Sequence, residues 1–194
     1  MGGRHNHPEI KYTNVRVPKT HLLGERGGGH KLGQVRLGPA RLAHCMRWLG
    51  QIELALEMLI ERAQNRFAHG SYLSEKQSIQ WMMADSAMEL YASTLMVLHA
   101  AYKIDNGEDF RQEVSMAKHH VANTLWRVVD RSMQVHGALG YSTDTPLAEM
   151  MQQARWARLA DGADEVHQMR IAELLIRAYN EDGSISRGVG GLPL

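Results

Sequence analysis

Leu42-Ala43-His44-Cys45-Met46-Arg47-Trp48-Leu49-Gly50-Gln51-Ile52-Glu53-Leu54-Ala55-Leu56-Glu57-Met58-Leu59-Ile60-Glu61-Arg62-Ala63 decides the fold class. Leu42, Met46, Leu49, Ile52, Leu56, Leu59 and Ala63 recur at steps of three and four, which is the period of a helix with one apolar face. At 1.5 Å per residue the helix is roughly 40–45 Å long. It is expected to begin at Gly38-Pro39 and to end near His69-Gly70, where glycine suits a C-cap. A stripe of this length is buried best against other long helices, so the pattern points to an all-α antiparallel bundle.

The flanking sequence repeats the pattern. Ser74, with Gln77 three residues on, reads as a capping box opening a second helix. Ile79, Met82, Met83, Leu90, Val97 and Ala101 form its inward face, and Asp105-Asn106-Gly107 ends it. A third helix is expected from Asp109, with Val114, Ala117, Val121, Leu125, Val128 and Val135 inward, ending at Gly137. Thr145-Pro146 opens a fourth, with proline in the first turn, and Gly162 ends it. Asp164-Glu165 place negative charge at the start of a fifth, which runs to about Tyr179.

Before the helices the period changes. Ile10, Tyr12, Val15 and Val17 are β-favouring, and Pro18 closes the run. Gly24 to Gly29 follow as a loop. One short strand has no independent stability. The division expected is a strand and Gly-rich loop over residues 1–35, a helical bundle over 36–180 and a flexible tail over 181–194.

Composition narrows the function classes. The chain has 194 residues, 44% hydrophobic and 22% charged, typical of one globular domain. No apolar run approaches the ~20 residues that span a bilayer. A net charge of +1 with no concentrated basic run argues against a nucleic-acid binder. The one cysteine excludes an internal disulfide. A di-metal carboxylate bundle needs Glu-x-x-His on two helices. Only Asp164-Glu165-Val166-His167 comes near, so no metal is expected.

Two glycine breaks hold the residues with chemical potential. Gln134-Val135-His136-Gly137-Ala138-Leu139-Gly140 can be helix punctuation, or a place where a ligand approaches the backbone closely. Asp161-Gly162 can be a plain helix boundary, or a carboxylate projecting into a cleft as a general base. Arg66 can complement a helix C-terminus or bind a phosphate. Arg41 has the same two readings. On spacing alone both readings of each stand.

Several of these segments, in this order, resemble the C-terminal helical domain of the acyl-CoA dehydrogenase family. Val15-Arg16-Val17-Pro18 resembles the end of that family's last β-domain strand. Gly38-Pro39-Ala40-Arg41 resembles the start of its first bundle helix, near the substrate site. Arg66-Phe67-Ala68-His69-Gly70 resembles its Arg-x-x-Phe-Gly flavin motif, with Ala68 for a usual threonine and His69 for the phenylalanine. Lys76-Gln77 match a His-Gln pair at the next helix start. Gln134 to Gly140 resemble Gln-Ile-x-Gly-Gly-x-Gly. Asp161-Gly162 stand where the family has its catalytic Glu-Gly. The Asp-Gly-x-Asp-Glu-Val-His form resembles the branch with aspartate as base, which includes family members ten and eleven.

The resemblance implies α,β-dehydrogenation of an acyl-CoA thioester with FAD. Asp161 would be the base, and Arg41 and Gly162 would lie at the substrate. Arg66, Ala68, Lys76, Gln77, Gln134, Val135, His136, Gly137, Ala138, Ala163, Asp164 and Glu165 would contact FAD, the Gln134 segment across a subunit boundary. It further implies a homodimer or tetramer, electron-transfer flavoprotein as partner, and a cytoplasmic location in bacteria or a mitochondrial or peroxisomal one in eukaryotes. Because the family's earlier domains complete the cleft, this chain alone is expected to bind FAD weakly or not at all and to be inactive. The alternative from another class is a non-catalytic oligomerisation bundle, indifferent to the identity of residue 161.

Overall fold

The computed structural model describes residues 8–185 and Val189. Most of the expected tail therefore lies outside the described residues. The chain divides into two compact units, the first ending at Leu37 and the second beginning at Gly38. Within the first unit, residues 8–18 have no strand pairing and bend at Asn14, and a 3-10 turn follows at Lys19–His21. The expected strand is absent here because β-favouring residues make a strand only beside a second one. Ile10, Tyr12, Val15 and Val17 are all exposed.

The long helix α1 spans Gly29–Asn65, with Pro39 inside it. It therefore starts earlier than the glycine-rich sequence suggests. Its buried face is Leu42, Cys45, Trp48, Ile52, Ala55, Leu56, Leu59 and Ala63. Met46, assigned inward by periodicity, is exposed, and Cys45 and Trp48 take the inward positions beside it. The helix drifts about its axis because 3.6 residues per turn do not match a strict repeat of three and four.

After α1 the chain makes a small hairpin, β1 (Phe67–Ala68) with β2 (Ser71–Tyr72), in which Ala68 faces Ser71. His69-Gly70 is its two-residue turn, with φ of 51° and 84°. Positive φ at both positions is what a tight hairpin of this twist requires. The pair is thus a turn between strands and not a helix cap. Ser74 lies in a 3-10 turn, Leu73–Glu75, and the capping box does not form. Its carbonyl accepts from Gln80 Nε2 at 3.0 Å.

Helix α2 (Gln77–Asp105) is followed by α3 (Arg111–His136), α4 (Ala138–Tyr141), α5 (Leu147–Ala157) and α6 (Asp164–Asp182). Helix α3 is the central element and packs against α2, α5 and α6. All six of its expected inward residues are buried. All but Val135 share a core with Leu42, Cys45, Trp48 and Ile52 of α1, Val97 and Ala100 of α2, and Leu147, Met150 and Ala154 of α5. Each large aliphatic side chain in it stabilises the fold by roughly 1.5–3 kcal/mol before entropy is counted. A second cluster, Leu59, Ala63 and Val135 with Leu73, Ile79 and Met82, ties the hairpin end of α1 to the end of α3.

Helix α4 is not anticipated by the sequence. A Cβ on Gly140 would sit 2.8 Å from the Met133 carbonyl and 2.9 Å from His136 Cβ. This glycine lets α4 fold back onto the end of α3. Helix α5 stops at Ala157, so residues 158–163 form a turn ahead of α6, with Asp161 and Gly162 at its middle.

Candidate functional site

The Asp161 turn is built by groups from four segments. Asp161 has φ of 52° and Gly162 of 118°. Arg41 Nε on α1 donates to the Asp161 carbonyl at 2.8 Å. Lys118 Nζ on α3 donates to the Gly162 carbonyl at 2.6 Å. The Leu159 and Ala160 N–H groups both donate to the Trp156 carbonyl. Asp161 is therefore held on both sides of an uncommon backbone conformation.

Its carboxylate faces His44. Nε2 of His44 lies 3.1 Å from Asp161 Oδ2, though Oδ2 accepts no well-aligned hydrogen bond. Arg47 donates to His44 Nδ1 at 2.7 Å. A guanidinium can only donate, so Nδ1 accepts and the ring proton belongs on Nε2, towards the carboxylate. Trp48 stacks on the imidazole and Trp156 meets it edge-on, which fixes its plane. On the other side His167 packs on Gly162, and a Cβ there would lie 2.8 Å from His167 Nε2. Burial, with Lys118 and Arg41 nearby, pushes His167 down to about 4.

Lys118 is fully buried and lies over the Trp48 ring, 6.0 Å from its centroid. Burial lowers its pKa, while Asp164, Cys45 and Asp161 oppose the shift. Cys45, beside it, is pushed up to about 12 by burial and stays a thiol. Asp164 is buried too. Burial alone would raise its pKa, but Arg158 at 2.7 Å and Asn123 at 3.0 Å hold it below the usual carboxylate range. Ala163 is the half-buried N-cap of α6 and Glu165 is exposed.

A separate groove of about 590 Å³ lies at the hairpin end of the bundle. Its lining joins Arg66 and Ala68 from the hairpin segment to Gln134, Val135, His136, Gly137 and Ala138 from the α3–α4 junction. These two candidate cofactor segments, far apart in sequence, thus share one concave surface. Arg62, His69 and Leu139 also line it, and no carboxylate does. Arg62 Nε is buried with no hydrogen-bond partner. His136 Nδ1 donates to the Ser132 carbonyl at 2.8 Å, because a carbonyl can only accept. Gly137, with φ of 66°, has open space where a Cβ would stand. Lys76 and Gln77 lie beside the groove's hairpin and do not line it; Lys76 Nζ donates to the His69 carbonyl at 3.0 Å.

The structure therefore places the expected residues at two locations. Lys118 marks the Asp161 turn and His136 the groove, and both belong to α3. Eighteen residues at 1.5 Å each put them roughly 27 Å apart along the helix. His44, Lys118 and Arg62 were not singled out from the sequence, and His167 was weighed only as part of a near metal-binding pattern. Lone histidines and lysines in helical patterns carry no local mark. The one available signal for Lys118 was a cation at an inward register between Val114 and Val121 on α3.

The groove tests well against an anionic dinucleotide such as FAD. Arginines, an orphaned guanidinium donor and a side-chain-free backbone edge suit phosphate and ribose. Among the described residues, no group of His, Cys, Asp and Glu could hold a metal ion. No described helix is long and apolar enough to cross a membrane.

Comparison with known proteins gives the family. Residues 27–176 match the family described as acyl-CoA dehydrogenase, C-terminal domain. A protein of Mycobacterium tuberculosis named "Probable acyl-CoA dehydrogenase FadE2" is 46% identical over 171 residues, 87% of this chain and 42% of its own. Mouse acyl-CoA dehydrogenase family member 10 is 39% identical over 88% of this chain and 16% of its own. Butyryl-CoA dehydrogenase from Megasphaera elsdenii superposes with a TM-score of 0.82 at 31% identity, covering 86% of this chain and 43% of that one. The chain spans less than half the length of each.

Proposed function

The chain belongs to the acyl-CoA dehydrogenase family, as its C-terminal helical domain, and from that premise we propose that Asp161 is the base of an FAD-dependent α,β-dehydrogenation of an acyl-CoA thioester. The observation that carries the reading is the Asp161 turn. A carboxylate stands in an over-determined turn, flanked by Arg41, Lys118 and His44, with a glycine beside it.

The α carbon of the thioester would lie against the Asp161 carboxylate, which takes the proton. Geometry is central to such a transfer, since a misplacement of about 1 Å can cost roughly 10²-fold in rate. An aspartate reaches one methylene less far than a glutamate, so the backbone must bring it forward. The αL conformation of Asp161, held by Arg41 and Lys118, supports that reading. Gly162 leaves room for the thioester, whose oxygen takes a hydrogen bond from the Asp161 N–H. Arg41 adds positive charge beside the developing enolate. FAD, when bound, supplies the acceptor for the β hydrogen.

Arg62, Arg66, Gln134, His136 and the Gly137–Ala138 backbone would hold the phosphate and adenosine portion of FAD. Because the groove lies so far along α3 from Asp161, it would serve the active site of a second copy, in a homodimer or tetramer. Ala163 and Glu165 remain placed to meet the flavin near Asp161, whereas Asp164 acts by fixing the turn. Electron-transfer flavoprotein would take the electrons onward. The chain alone would hold FAD weakly. The test is Asp161→Asn in a flavin-loaded protein whose cleft is completed by the domains that precede this one in the family. The variant should keep its flavin and lose bleaching of the flavin absorbance by acyl-CoA, and bleaching at the wild-type rate would remove Asp161 as base.

A further inference from the structure

We infer that Lys118 is a positioning residue for Asp161, holding the base turn through the Gly162 carbonyl; this rests on the reading of Asp161 as the base. A lysine is almost never fully buried unless it is paired. Taking an ammonium out of water costs several kcal/mol, and nothing about α3 packing calls for one between Cys45 and Trp48. Its headgroup is nevertheless turned onto a single backbone oxygen, at 2.6 Å.

That oxygen is well chosen for holding the turn. The Asp161 carbonyl belongs to the peptide before Gly162 and is taken by Arg41. The Gly162 carbonyl belongs to the peptide after it and is taken by Lys118. The two peptide planes around the glycine, the residue with most conformational freedom, are thereby fixed by cations from two different helices. Lys118 also interacts with both Asp161 and Asp164 through space.

The groups that face this turn are Arg41 and His44 from α1, Lys118 from α3, Arg158 after α5, and Asp164 and His167 from α6. The experiment compares backbone NMR signals and amide hydrogen exchange at Gly162 and Ala163 between the whole wild-type chain and Lys118→Met. The variant should keep its helical circular dichroism. The Gly162 and Ala163 amide signals should shift and lose protection from exchange. A folded variant with unchanged Gly162 and Ala163 amides overturns the inference. If Lys118→Met does not fold, the wild-type chain decides. Its Gly162 carbonyl resonance should move as the Lys118 ammonium loses its proton, and a flat trace overturns the inference. The flavin-bleaching assay of Asp161→Asn separately decides whether the positioned carboxylate is the base.

Discussion

The Asp161 turn and the Gln134 groove are both polar, and they differ in where their polar atoms find partners. In the turn, the backbone is matched within the chain, Arg41 to the Asp161 carbonyl and Lys118 to the Gly162 carbonyl, and Arg158 and Asn123 hold the Asp164 carboxylate, while Asp161 Oδ2 is left without a hydrogen bond. In the groove, arginines gather without a carboxylate among them, and Arg62 Nε has no partner. The first arrangement is preorganised and contributes to stability. The second leaves hydrogen-bonding capacity for an anion. Substitutions in the turn should therefore register mainly as lost stability, and substitutions in the groove as lost binding.

The sharpest contrast is between adjacent residues of the turn. Asp164→Ala leaves a buried cluster with Arg158 and His119 unmatched and should cost about 4 kcal/mol in urea unfolding. Glu165→Ala, at an exposed position, should stay within about 0.5 kcal/mol. Equal losses would break the division between a structural and a free carboxylate.

Acid should act on the turn as well. His167 is held near 4 against an ordinary 6.5, so the unfolded chain binds the extra proton first. The neutral form contributes stability above pH 6.5, and that stability is lost as pH falls from 6.5 to 4. The loss should reach about 3 kcal/mol, and His167→Gln should flatten the slope in that window.

Gly162→Ala should cost about 2 kcal/mol, because the positive φ and the His167 ring both oppose a side chain. Gly137→Ala meets open space and should lose less, from backbone strain alone. Its larger effect should be on ligand binding. The mildest expected change in stability is Arg62→Met. Thermal unfolding should shift little, while calorimetric affinity for ADP should fall roughly tenfold. A variant that loses stability and keeps its affinity for ADP would show that Arg62 supports the fold and not the ligand.

Periodicity alone marked the long helices, because an apolar face at 3.6 residues per turn is a local property of the chain. The inward residues of α3 followed from it without error. Failures came where a neighbour decides the outcome. His69-Gly70 has the composition of a helix end, yet strand pairing of Phe67–Ala68 with Ser71–Tyr72 makes it a hairpin turn. Ile10 to Val17 have β-favouring side chains but no partner strand among the described residues. Met46 satisfied the repeat and still faces solvent.

The candidate site divides in the same way. Asp161-Gly162 and Gln134 to Ala138 could be found in the sequence because glycine punctuation and an ordered set of motifs lie along one chain. What surrounds them could not be. Arg41 and Asp161 are 120 residues apart, and Lys118 and Gly162 are 44 apart, so no local pattern links them. The sequence by itself determined the helical periods, the breaks between them and the family to which they belong. Only the tertiary structure decided that Arg66 and Gln134 share a groove, that Asp164 is enclosed while Glu165 is open, and that a buried lysine grips the turn beside Asp161. Burial, distance and charge pairing arise when segments distant in the chain are packed together, and they have no representation in any one segment.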